Sequence, residues 1–110
     1  MDVGIQHEEE LSRLMADDYA WKILSATYGK AMSIQEISRE CEIPIAVAYR
    51  RVGKMEEVGL VKFVKEGETY RRKKIRYYTC AIDALQLSFI KGQVTLDIKP
   101  GKAGEYSASY

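Results

Sequence analysis

SIQEISRECEIPIAVAYRRVGKMEEVGLV, running from Ser33 to Val61, is the stretch that decides the fold. It opens on Ser33-x-x-Glu36, a capping-box pattern: the hydroxyl closes the start of a helix and the carboxylate reaches back to the capping residue's own N–H. Ile34, Ile37 and Cys41 recur at helical spacing and predict an inward face that runs only to about Cys41. Glu42 and Ile43 leave room for a tight connection, and Pro44 suits the first position of another helix, where a missing N–H is tolerated. Over roughly 44–58 that helix gathers Ala48, Val52, Met55 and Val58 on one face and sends Ile45, Tyr49, Arg50, Gly53 and Lys54 elsewhere. Gly59 ends it.

Upstream, a helix is expected from Glu8, with acidic residues in its first turn and Leu11, Leu14 and Met15 as a short apolar stripe. Residues 1–7 read as a frayed terminus. Asp17 and Asp18 then signal a fresh start. Ala20, Trp21, Ile23, Leu24, Thr27 and Tyr28 give the next helix its buried face, with Gly29 as its left-handed stop. A short extended piece, Ala31–Met32, leads into the decisive stretch. A short helix, a turn of about three residues and a longer helix make a helix-turn-helix.

Downstream the period changes. Segment 60–65 and segment 74–80 are rich in β-branched and aromatic residues, which predicts a β-hairpin with a long charged tip over 66–73. In a second hairpin Leu85, Leu87 and Phe89 alternate with polar residues, Lys91-Gly92 turns the chain, and Val94, Leu96 and Ile98 alternate in the same way. Its apolar side needs a cover. Residues 100–110 hold little to bury and read as a loose tail.

The 110 residues carry a net charge of +1, yet the charges are segregated. Residues 1–49 hold four basic and nine acidic side chains. Residues 50–76 hold ten basic and four acidic ones, so one face is suited to a polyanion while the whole stays near neutrality. At 46% hydrophobic residues the chain suits one packed core, and no stretch approaches the roughly 20 apolar residues that span a bilayer. Without a signal-peptide layout at the N-terminus, a cytoplasmic protein is expected, with no membrane partner. Cys41 and Cys80 fit no paired-ligand spacing and read as small buried hydrophobes, so neither a metal nor a cofactor is expected. His7 is the only histidine, and no phosphate loop or nucleophile with a matched base is present, which argues against an enzyme.

The order helix, helix, short strand, helix, turn, helix, hairpin resembles a winged helix-turn-helix transcriptional regulator. More narrowly, the Pro44-containing turn, Tyr49-Arg50-Arg51 and the close Glu56-Glu57-Val58-Gly59-Leu60-Val61 resemble the ArsR-like archaeal type. The likeness covers about residues 17–80. It implies an α+β fold: a three-helix core with an N-terminal helix, a β-hairpin wing and here an additional C-terminal hairpin. It implies a sequence-specific binder of double-stranded DNA, with the helix over about 44–58 in the major groove and the wing on the backbone or minor groove. Carried over residue by residue, Ala46, Val47, Tyr49, Arg50, Arg51 and Lys54 face DNA from the helix, and Arg71, Arg72, Lys73 and Lys74 from the wing. Arg50 is the foremost candidate for a guanine edge, Arg51 for a phosphate.

The chain accordingly divides into an N-terminal helical extension (1–16), the DNA-binding domain (17–80), a C-terminal hairpin for dimerisation (81–99) and the tail. A homodimer is expected because palindromic half-sites demand a two-fold protein. Two departures stand out: the paired cysteines of metal-sensing relatives are absent, and the front of the recognition helix, Ile45-Ala46-Val47, is apolar. The second leaves an alternative open, a winged-helix protein–protein interaction module or transcription-machinery adaptor docking through Ile45, Val47 and the second hairpin. Tyr49 reads either as a groove contact or as a ring closing the core edge. Tyr70, Tyr77 and Tyr78 read as base-stacking groups or as cross-strand pairs.

Overall fold

The computed structural model describes residues 11–101. The expected helix start at Glu8, the terminal residues 1–7 with His7, and the tail from 102 onward lie outside the described residues. Residues 11–15 are helical. They are followed by α1 (Asp18–Thr27), β1 (Met32–Ser33), α2 (Ile34–Cys41), α3 (Ile45–Glu57), β2 (Val61–Glu68), β3 (Lys74–Cys80), β4 (Ile82–Ile90) and β5 (Gln93–Pro100).

Each helix boundary has a local cause. Asp17 caps α1 by accepting a hydrogen bond from the Tyr19 N–H at 3.0 Å. The Trp21 indole donates to the Met15 carbonyl at 2.7 Å and so ties the preceding turn to α1. The capping box of α2 is complete: Ser33 Oγ accepts from the Glu36 N–H at 3.1 Å, and Glu36 Oε1 from the Ser33 N–H at 2.9 Å. Glu42 then turns left-handed at φ 55°, which lets Ile43 donate back to the Ser38 carbonyl. Pro44 stands one place earlier than its sequence suggested: it caps α3 from outside the helix, and its carbonyl accepts from the Ala48 N–H at 2.9 Å. At the far end Leu60 donates to Met55 and Gly59 to Glu56, a Schellman closure that needs Gly59 at its φ of +85°.

The apolar faces predicted from spacing meet in one core, except that Trp21 and Tyr28, expected on the buried face of α1, are exposed. Ile23, Ile37, Ala48, Val52, Met55, Leu60 and Val61 are all at most 2% exposed, with Leu11 and Met32 beside them. Burying each aliphatic side chain contributes about 1.5–3 kcal/mol, the main term that holds three short helices together. Two buried hydroxyls are both satisfied: Thr79 Oγ1 donates to the Thr27 carbonyl at 2.8 Å, and Thr27 Oγ1 to Ile23 at 2.7 Å.

The first sheet has the order β1-β3-β2, all antiparallel. β1 covers only Tyr77 and Tyr78 of β3, so the hairpin beyond them projects as a wing. A bulge between Phe63 and Lys65 kinks β2 at that same level. The expected long tip is shorter than its polarity implied. β2 continues through Glu66, Gly67 and Glu68, because Glu66 faces Arg76 and Glu68 faces Lys74 across the ladder, and opposed charges support pairing.

The second hairpin forms in the expected register: Leu85 opposite Ile98, Leu87 opposite Leu96, Phe89 opposite Val94. Pro100, assigned to the tail by its neighbours, belongs to β5 and pairs with Ile82, at a strand end where a missing N–H is tolerated. The apolar side is covered only at its base, where Leu96 is buried and Leu85 and Ile98 pack on the core. Leu87, Phe89 and Val94 stay at least half exposed. The whole is a mixed helix–strand fold, a winged helix with an additional C-terminal hairpin.

Candidate nucleic-acid interface

The outward side of α3 is a consequence of its inward one. With Ala48, Val52 and Met55 committed to the core, Ala46, Tyr49, Arg50, Gly53 and Lys54 fall on the exposed side at helical spacing. Tyr49 is half exposed, and its hydroxyl accepts a hydrogen bond from Gln35 Nε2 at 3.3 Å. Arg50 and Lys54, one turn apart, are exposed. Gly53 leaves bare backbone between them, with open space where a Cβ would stand.

The wing tip is a built turn. Thr69 donates its N–H to the Lys73 carbonyl at 3.0 Å and accepts the Arg72 N–H at 2.9 Å. Its hydroxyl accepts two further backbone N–H groups, from Arg71 at 3.2 Å and Lys73 at 3.1 Å. Arg72 is left-handed there, at φ 61°. Held in this way, Arg71, Arg72 and Lys73 are all exposed, with Lys74 beside them on β3. Tyr70 is 89% exposed and carries the Arg71 guanidinium against its ring at 5.4 Å. Tyr77 and Tyr78 follow the cross-strand alternative: Lys65 lies over Tyr77 at 5.2 Å, and Tyr78 is buried edge-on to Phe63. Gly67 lies beneath Tyr77, whose ring stands 2.9 Å from where a Cβ would be and would have to shift to admit one.

The helix and the wing are neighbours. A cleft of about 240 Å³ is lined by Gln35 of α2, Tyr49 and Gly53 of α3, and Lys74, Ile75 and Arg76 of β3. Of the expected contacts this cleft brings together Tyr49 and Lys74, while Ala46, Arg50, Lys54, Arg71, Arg72 and Lys73 lie outside its lining. Residues 15–63 match the family model of a helix-turn-helix domain. No curated protein matches the chain. The matched helix-turn-helix spans the three helices, the turn and the entry into β2, and so contains the α3 wall of this groove. Among the described residues no helix is long and apolar enough to cross a membrane.

Three of the candidate contacts differ from their neighbours. Val47 is half-buried and packs against the core. Arg51 points toward α1, where its Nε donates to the Asp17 carboxylate, so it braces the cap of that helix. Lys74 lies 4.0 Å from Glu66, an exposed pair of the kind that holds a cation only weakly. Ala46, Tyr49, Arg50, Lys54, Arg71, Arg72 and Lys73 are exposed. Gln35 carries no mark in the sequence of its place in the cleft, since a polar residue early in a helix gives no signal of what it faces. Arg76, counted there only as part of a basic run, is held by Glu56 at 3.7 Å and by the Tyr78 hydroxyl at 3.0 Å.

Both cysteines are buried and free. Burial pushes the thiol of Cys41 upward, with Glu40 adding to the effect, and burial likewise raises that of Cys80. Neither has the thiolate character of a reactive sensor.

Proposed function

We propose that the protein is a non-enzymatic, sequence-specific regulator of transcription, of the ArsR-like archaeal kind, that binds double-stranded DNA as a homodimer. The observation that carries this reading is the shared groove: Tyr49 and Gly53 of α3 face Lys74 and Arg76 of the wing across one cleft. α3 enters the major groove, with Arg50 on a guanine edge and Tyr49, Ala46 and Lys54 beside it. Arg71, Arg72, Lys73 and Lys74 grip phosphates or the minor groove and set register without reading sequence. Arg51 supports the site from behind through Asp17.

Dimerisation uses the C-terminal hairpin of the 81–99 segment, whose outer apolar side is bare at Leu87, Phe89 and Val94. A two-stranded hairpin is only marginally stable by itself in water, and a second copy meeting it about a two-fold axis covers both. Selection from random duplexes tests the reading: an enriched palindrome is expected, and Arg50→Ala relaxes the preference at one position and costs about 1–3 kcal/mol. Absence of any enriched sequence refutes specificity. Phe89→Asp is expected to give a monomer in sedimentation with the helical domain intact.

A second reading, a protein-docking winged helix, is favoured by one observation: Ile45, at the front of α3, is 44% exposed. Capture of one stoichiometric protein partner by a chain without duplex affinity would establish it.

A further inference from the structure

We propose that Arg76 and Glu56 form a latch that fixes the angle of the wing against α3, so that Glu56, an acid beside an anion-binding surface, strengthens DNA binding. The proposal rests on the DNA-binding reading above and adds to it two positioning residues.

The wing is poorly braced where it leaves the core. β1 pairs with β3 only as far as Tyr77, and the β2 bulge falls at the same level, so from residue 76 outward the two strands have only each other as ladder partners. Arg76 is the first residue of β3 beyond that cover, and three groups converge on its guanidinium. Nη2 lies 3.7 Å from Glu56 Oε2 in the last turn of α3. Nε donates to the Tyr78 hydroxyl at 3.0 Å. The guanidinium carbon sits 4.3 Å from the centre of the Phe63 ring, which itself meets Tyr78 edge-on. One planar cation thus clamps β2, β3 and the C-terminal turn of α3 together.

Glu56 is the outer half of the clamp. An exposed ion pair alone contributes little, but a guanidinium already oriented by a ring face and a hydroxyl loses less freedom when it takes a carboxylate. The latch matters because the wing cations work only if the tip reaches the backbone while α3 is seated in the groove. A small change of angle at Arg76 is multiplied along β3 toward Arg71 and Arg72.

Simple electrostatics and the latch predict opposite signs for one substitution. Removing the Glu56 carboxylate takes a negative charge from the surface and would raise affinity for a polyanion. If the latch operates, Glu56→Ala lowers affinity for the selected duplex about threefold or more, Arg76→Ala does the same, and Arg76→Lys fails to restore binding because an ammonium lacks the planar face. A second readout is independent of DNA: spin labels on cysteines replacing Arg39 in α2 and Glu68 in the wing give one narrow distance distribution, which broadens in Glu56→Ala. The thermal midpoint should change little. Tighter binding by Glu56→Ala, full rescue by Arg76→Lys, or an unchanged distance distribution overturns the latch. A wild-type chain without duplex affinity overturns the DNA-binding reading, and the spin-label arm still decides whether the wing is held.

Discussion

Replacing Arg71, Arg72, Lys73 and Lys74 together by Gln isolates what the wing contributes to binding. Each phosphate neutralised on duplex DNA adds about −0.9 to the slope of log affinity against log salt. Of the seven cations among the expected contacts, Arg51 is committed to Asp17, which leaves six exposed ones: Arg50, Lys54, Arg71, Arg72, Lys73 and Lys74. Their full engagement sets a slope of about −5 per protomer, a loss of about a thousandfold between 50 and 200 mM salt. Four of the six lie in the wing, so the quadruple variant should keep a slope of only about −2 and lose about tenfold over the same range. Stability should hardly change, because the tip is closed by Thr69 and backbone groups. Anisotropy titrations of a labelled duplex across that salt range give both slopes. A difference below one unit would refute the assignment of the wing to phosphates.

Three other outcomes follow from the packing. Asp17→Ala removes both the α1 cap and the partner of Arg51, and should lower the free energy of unfolding by about 1–2 kcal/mol in urea titrations. Thr79→Val keeps the volume but removes the hydroxyl that donates to the Thr27 carbonyl at 2.8 Å, leaving that carbonyl only the Lys30 N–H at 3.2 Å, and should lower stability by about 0.5–1.5 kcal/mol in the same assay. The raised thiols of Cys41 and Cys80 make stability fall with alkaline pH: folded thiols stay protonated while those of the unfolded chain ionise above about pH 8.5. Below that pH the contribution is complete, and as pH climbs toward the raised folded values it is lost. Denaturation midpoints from pH 7 to 10 should therefore decline less in a Cys41→Ala, Cys80→Ala double variant.

The elements that the sequence announces most clearly are those with a local cause. Ser33 and Glu36 specify the start of α2 by themselves, Gly59 the end of α3, and Lys91-Gly92 the second turn, because each acts through backbone groups within a few residues. The exposed side of α3 was equally legible, as the complement of Ala48, Val52 and Met55. What escaped were interactions across the chain. Arg51 and Arg76 look like any other cation in a basic run, and only folding brings Asp17 to the one and Glu56 to the other, 34 and 20 positions away. Val47 has the spacing of an outward residue, yet it packs against the core. The wing tip is shorter than the sequence implies because charged residues that pair across a ladder look, in one dimension, like a loop.

The second hairpin leaves the core and returns to it at the same spot. The Gly101 N–H donates to the Ala81 carbonyl at 2.8 Å, and Ala81 in turn donates to Leu60 at 2.8 Å, so entry and exit are clasped at the base. The turn at Lys91 and Gly92, with φ of 51° and 85°, closes the far end. Residues 82–100 thus form an arm that is rooted in the core through Ile82, Leu85, Leu96 and Ile98 and bare at Leu87, Phe89 and Val94. Paired insertions at its tip would lengthen the arm two residues at a time without disturbing the helices, and chimaeras that exchange only the part beyond Leu87 test whether the arm governs assembly while leaving the groove between α3 and the wing as it is.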